Sequence, residues 1–307
     1  MHGLVPVTER GRHTDQVRSQ LMAVLFGLLT ALSNALAVTT QHIASTRGTE
    51  AMSGWRLVLH LIRQPLWLVG WAAMAGSLAF QSLALHFGAL SVVQPLLVTE
   101  LILALVLRRV WLGQTIRATT WSAAVVTGAG LIAFLAVMAP TSGNFKPTTS
   151  DWIMPSVVAA LVVAVFVGFA QRGTPQRRAA LFAAATAISW ALEAGFIKAT
   201  TDVLSEIGPI SMFTRWPVYA LIVGGVIGLF CEQAALHVGP LSVSQPVIVI
   251  VDPVISVALG LLIYHERIQA GPWHLSMGFI AFVTMSVGVV VLSRLAPATM
   301  NRDVHRL

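Results

Sequence analysis

Charged side chains are scarce in this chain: 10% of its 307 residues are Asp, Glu, Lys or Arg, against about 25% in soluble domains. Cysteine is nearly absent. The single Cys231 excludes an intramolecular disulfide and any cluster of thiolate ligands, so it reads as a small packed residue. Nucleotide and hydrolase motifs are missing as well. There is no Walker A loop and no G-x-S-x-G, and His265-Glu266-Arg267 is not H-E-x-x-H. Those gaps argue against ATP-driven transport, against an enzyme and against a bound cofactor.

Apolar residues fill the space: 56% of the chain is hydrophobic and the mean hydropathy is +0.79. Lipid can solvate that much apolar surface, and water cannot. Nine runs are long enough to cross a bilayer as helices: 21–43, 65–85, 90–107, 119–138, 152–170, 179–199, 217–236, 241–264 and 275–295. The runs are continuous rather than alternating, so helices are expected and a barrel is not. Trp67, Trp111, Trp121, Trp152, Trp216 and Trp273 sit near run ends, where an interfacial aromatic belt belongs. Residues 50–64 mix Trp55, Leu57, Leu61 and Ile62 with Arg56, His60 and Arg63, the pattern of a helix lying on the membrane surface. The expected layout is a flexible tail over 1–20, a first membrane repeat over 21–138, a loop and linker helix over 139–175, a second repeat over 176–295 and a tail over 296–307. The net charge is +7. Its arginines lie mainly between apolar runs and suit anionic lipid headgroups, not nucleic acid.

The chain repeats itself. Residues 84–95 (ALHFGALSVVQP) match 235–246 (ALHVGPLSVSQP) at nine of twelve positions, and 23–36 match 179–192 at eight of fourteen. A third echo pairs Arg63-Gln-Pro-Leu-Trp67 with Arg215-Trp-Pro-Val-Tyr219. Spans one to four therefore correspond to spans six to nine. The offset is five spans, an odd number, so the second copy must enter the membrane from the opposite side. The fold class expected is all-α: a polytopic membrane protein with about nine transmembrane helices in a 4 + 1 + 4 inverted repeat. Such repeats carry many alternating-access transporters. With the N-terminus outside, the inner loops and C-terminal tail hold 12 Lys or Arg and the outer ones 7. The positive-inside rule then favours N-out and C-in.

The repeated turn has a local explanation. Gly88 and Gly239 suit left-handed caps. Ser91 with Gln94, and Ser242 with Gln245, have capping-box spacing. Pro95 and Pro246 fall near a first turn, where a missing N–H costs little. His86, His237, Gln94 and Gln245 would also place polar groups at both mouths of a pathway.

Glu100, Glu193, Glu232 and Asp252 lie inside apolar spans. Each costs up to about 3 kcal/mol at a helix centre on insertion scales, which makes intramembrane acids functional candidates. Glu100 and Asp252 fall at nearly matching depth in spans three and eight. Pro253 leaves the carbonyl of Val249 without its helical donor beside Asp252. Glu100 and Asp252 are accordingly the candidate metal or proton ligands, with Glu193, Glu232 and Asn34 nearby. Lys198 is a possible partner for an acid. Glu266 reads as a solvated helix end.

Around 83–107 and 234–263 the chain resembles the drug/metabolite transporter superfamily. The phrases LSVVQPLLV (90–98) and LSVSQPVIV (241–249) are most similar to its NIPA-type magnesium transporter branch and bacterial relatives. That resemblance implies an inverted-repeat transporter with a cytoplasmic C-terminus. The expected function is secondary transport of a small solute or divalent cation, Mg²⁺ included. Its partners would be that substrate and membrane lipids, with a homo-oligomer left open. The alternatives are a membrane-embedded enzyme and a non-transporting scaffold.

Overall fold

The computed structural model describes residues 9–46, 64–111, 113, 115–143, 145–239 and 241–303. Among these, nine helices are long and apolar enough to cross a membrane: 16–40, 65–87, 90–111, 118–138, 149–169, 175–207, 216–238, 242–263 and 272–295. We refer to them as the first to ninth spans. They make a polytopic membrane protein. Large apolar side chains cover the outside of the bundle, including Ile132, Phe230, Val125 and Phe279; lipid is the solvent for which such a surface costs nothing. The first helix begins at Glu9, inside the stretch expected to be a flexible tail. The surface helix expected over 50–64 lies, but for Gln64, outside the described residues.

Proline and short polar side chains start several spans. Pro65, Pro175 and Pro272 occupy first helical positions, where the lost N–H had no partner anyway. Thr148 opens the fifth span by donating its N–H to Asp151 Oδ2 at 2.7 Å. The loop from 139 to 148 runs back across the molecule. Thr141 and Arg267 exchange two backbone hydrogen bonds, at 2.9 and 3.1 Å. On the same loop Lys146 donates to Glu206, and that hydrogen bond holds the lysine above its ordinary range. Ala139 takes a left-handed turn at φ 38° to leave the fourth span. A Cβ in that region costs roughly 1–2 kcal/mol. Ala139→Gly should therefore raise stability by about 1 kcal/mol in thermal unfolding in detergent.

The internal repeat is visible as matched packing. The first span packs against the second as the sixth does against the seventh, and the fourth lies along the ninth. A Cβ on Gly88 would strike Ala23 Cβ, and one on Gly239 would sit 2.6 Å from Ala179 Cβ. Ala23 and Ala179 are equivalent in the sequence repeat. In the fourth–ninth pair, a Cβ on Gly130 would lie 2.7 Å from Met285 Cα, and one on Gly288 2.7 Å from the Thr127 nitrogen. Residues 130 and 288 are offset by the same amount as 127 and 285, so each contact is the other's image under a pseudo-two-fold axis.

Gly88 and Gly239 do not take left-handed caps. Their φ angles, −136° and −160°, are extended backbone open to any residue. Glycine is needed there for space. The first capping box is also absent: Ala89 is the cap residue, and no side chain of its own hairpin bonds the helix start. The second box fails as well: the helix starts at Leu241, so Ser242 and Gln245 lie inside it and Ser242 is not its cap residue.

Candidate functional site

Glu100 is the eleventh residue of the 22-residue third span, and Asp252 the eleventh of the 22-residue eighth span. The two spans enter from opposite faces. At 1.5 Å per residue, both carboxylates therefore sit about 15 Å from either end, at mid-depth. Each stands close to a helix irregularity, a break in one span and an internal proline in the other. The third span is two helical segments, Leu90–Leu97 and Thr99–Trp111, separated at Val98. Pro95 cannot donate to Ser91, and Thr99 Oγ1 donates to the Leu96 carbonyl at 2.7 Å. Pro95 thus lies in the second turn, just ahead of the break, rather than near the first turn. In the eighth span the helix runs unbroken from Leu241 to Ile263, with Pro246 and Pro253 inside it.

Both carboxylates are half-buried and have polar company. The Asn34 amide of the first span lies close to Glu100, and Glu232 of the seventh span is within electrostatic range of it. Ser256 donates to Asp252 Oδ1 at 3.1 Å, and Glu193 is within electrostatic range of Asp252. Glu193 fits against the seventh span because position 225 is glycine: a Cβ there would be 3.1 Å from its Oε1. Each mid-depth acid thus has a second acid within electrostatic range, Glu232 for Glu100 and Glu193 for Asp252. No Lys, Arg or His among the described residues comes within ion-pairing distance of any of them. Glu232 is six residues from the end of its span, while the other three lie deeper.

Other expected site residues are placed elsewhere. His86 and His237 are exposed at span ends on opposite faces; His86 makes an edge contact with the Phe87 ring, centroids 5.1 Å apart. Gln94 is buried, with its Nε2 lacking a hydrogen-bond partner, whereas Gln245 is half-buried. No group of three or more His, Cys, Asp or Glu among the described residues is arranged to hold a metal ion. A cavity of about 200 Å³ lies between the third, fourth, eighth and ninth spans. Apolar side chains line it, Phe134, Met138, Phe279 and Phe282 among them, and none of the four acids does.

Two charged residues carry more structure than the sequence suggested. Glu266 is not solvated: it is 5% exposed. Its Oε1 accepts the Leu90 N–H at 2.6 Å, and its Oε2 accepts the Ser91 N–H at 3.0 Å and the Ser91 hydroxyl at 2.6 Å. It is the cap that the third span lacks locally. Lys198 does not pair with a mid-depth acid. It donates to the Leu85 and Gly88 carbonyls, at 2.9 and 2.7 Å, where the second span ends. Around them Trp152, Phe196, Trp216 and Tyr264 pack in edge and tilted ring contacts, and the Tyr264 hydroxyl donates to the Gly195 carbonyl at 2.9 Å. This layer lies at the bundle end where the first span begins, hereafter the N face.

The chain is similar to an uncharacterized protein of Corynebacterium glutamicum, 29% identical over 282 residues, which cover 91% of this chain and 96% of that protein. No family model and no solved structure matches it.

Proposed function

We propose that the protein is a secondary transporter that moves a small cation across the cell membrane by alternating access, with its N-terminus outside and its C-terminus in the cytoplasm. One observation carries this reading. Equivalent spans of two oppositely inserted halves hold Glu100 and Asp252 at the same depth, each beside a helix irregularity and a second acid, with no basic partner at hand. Four unneutralised carboxylates in hydrocarbon are expensive, and a proton or cation passing between the halves supplies the missing charge. Around these acids the donors are oxygens: carboxylates, the Asn34 amide, the Ser256 hydroxyl and the Val249 carbonyl freed by Pro253. That set suits hard ions such as Mg²⁺. The acids come in twos rather than in a cage, so a divalent ion would keep part of its water shell, as Mg²⁺ does.

The test is flux in proteoliposomes. Purified protein should carry at least one of Mg²⁺, other divalent cations, monovalent cations or organic amines, in exchange for or together with protons. Transport confined to anions or neutral solutes would reject the assignment.

A further inference from the structure

Two buried ionic side chains of the second half grip one hairpin of the first half. The hairpin is the turn from the second to the third span, residues 86–91. Its two strands of backbone end in opposite partial charges. Span two finishes in carbonyls without helical donors, the negative end of its dipole, and span three starts with free N–H groups, the positive end. Lys198, on the sixth span, takes the carbonyls of Leu85 and Gly88. Glu266, in the loop after the eighth span, takes the amides of Leu90 and Ser91. The two side chains are 9% and 5% exposed. Lys198 also lies 5.1 Å from the centre of the Tyr264 ring. Gly260 leaves the room Glu266 needs: a Cβ there would lie 2.8 Å from its carboxyl carbon.

Among the described residues the opposite face shows no such grip. Its equivalent hairpin, around Gly239, meets Pro175 and Ala179 of its own half, as Gly88 meets Ala23. Among the described residues, no hydrogen bond reaches that hairpin from the first half. The repeat offset aligns Lys198 with His42, so the second copy's lysine has no counterpart of fixed charge.

We propose that Lys198 and Glu266 are the latch that holds the N face shut, released when the two halves rock apart. This rests on the alternating-access reading above. Both residues act by positioning the hairpin, and neither touches the carboxylate site.

The test uses accessibility rather than transport. In a Cys231→Ser background, two single-cysteine reporters are made. Ala194→Cys lies one turn before Lys198 under the aromatic layer, where Ala194 is 1% exposed. Ala104→Cys lies one turn past Glu100 toward the other face. Each is labelled in sealed vesicles of known orientation with a membrane-impermeant charged thiosulfonate. Glu266→Gln and Lys198→Met should each speed labelling of Ala194→Cys from the N face by about tenfold or more, the ratio that some 1.4 kcal/mol confers, and slow labelling of Ala104→Cys from the opposite face. Lys198→Arg should keep Ala194→Cys protected. Unchanged protection in both Glu266→Gln and Lys198→Met overturns the latch. Faster labelling of both reporters, with loss of a monodisperse elution peak, also overturns it, because the residues would then be holding the fold together. Faster labelling of Ala194→Cys with Ala104→Cys unaffected upholds the latch and sinks alternating access instead.

Discussion

Glu100→Gln and Asp252→Asn should each cut cation flux in proteoliposomes by about 100-fold, the equivalent of losing one buried charge-assisted contact of some 2–5 kcal/mol. Both changes keep the shape of the side chain and remove its charge. Asn34 can still stand beside a glutamine at 100, and Ser256 can still donate to an asparagine oxygen at 252. The amide also spares the protein the cost of a carboxylate in hydrocarbon, so the variants should be at least as stable as the parent. Stability and activity then move in opposite directions, which separates a site residue from a structural one. A variant that unfolds in detergent while the surviving fraction transports normally would refute the role. Glu232→Gln and Glu193→Gln test the pairing. If each acid serves its neighbour, the double variant Glu100→Gln/Glu232→Gln should be little worse than Glu100→Gln alone.

The second large effect concerns the fourth and ninth spans. Gly130→Ala and Gly288→Ala should each destabilise the protein by about 1–3 kcal/mol, because the added methyl meets backbone and no rotamer can relieve it. The obstacles are the backbone of Met285 in one case and of Thr127 in the other. The helices must move apart in both. Once one substitution has separated them, the second meets less resistance. The double variant should therefore lose clearly less than the sum of the two, measured as unfolding free energy in mixed micelles. Additive losses would mean that the two glycines do not belong to one symmetric contact. Flux per folded molecule should stay near that of the parent, since neither glycine is part of the carboxylate site.

Much of this architecture was legible in the sequence because lipid imposes a simple rule. A run such as 65–85 had to be a helix, and the structure places it at 65–87. The 84–95 and 235–246 match announced the repeat, and matched contacts at Gly88 and Gly239 accompany it. The depth of Glu100 and Asp252 followed from counting. What could not be read were partners distant in the chain. Glu266 looked like a helix end in water, since its three hydrogen bonds go to residues some 175 positions earlier. Lys198 looked like a counter-ion, because nothing local marks Leu85 and Gly88 as exposed carbonyls. The glycines misled for a related reason: a left-handed turn and a close neighbour both select glycine, and only the fold tells which. The break at Val98 was half visible, as Pro95, but a proline in a first turn and one that splits a helix look alike until the start of the helix is known.

The two copies differ in one respect that the proposed orientation would demand. The loop after the first span carries Arg47, Arg56 and Arg63, and the last turn of the third span with its following loop carries Arg108, Arg109 and Arg117; the corresponding segments at the sixth and eighth spans carry only Arg215 and Arg267. A duplicated segment inherits its ancestor's basic residues along with its apolar ones, and would at first insert the same way up. Arginine is sparser in one copy's turns while the helices keep their resemblance. Placing three arginines between residues 208 and 215 would set insertion of the later copy against that of the earlier one, so the connecting segments hold the two copies to opposite senses.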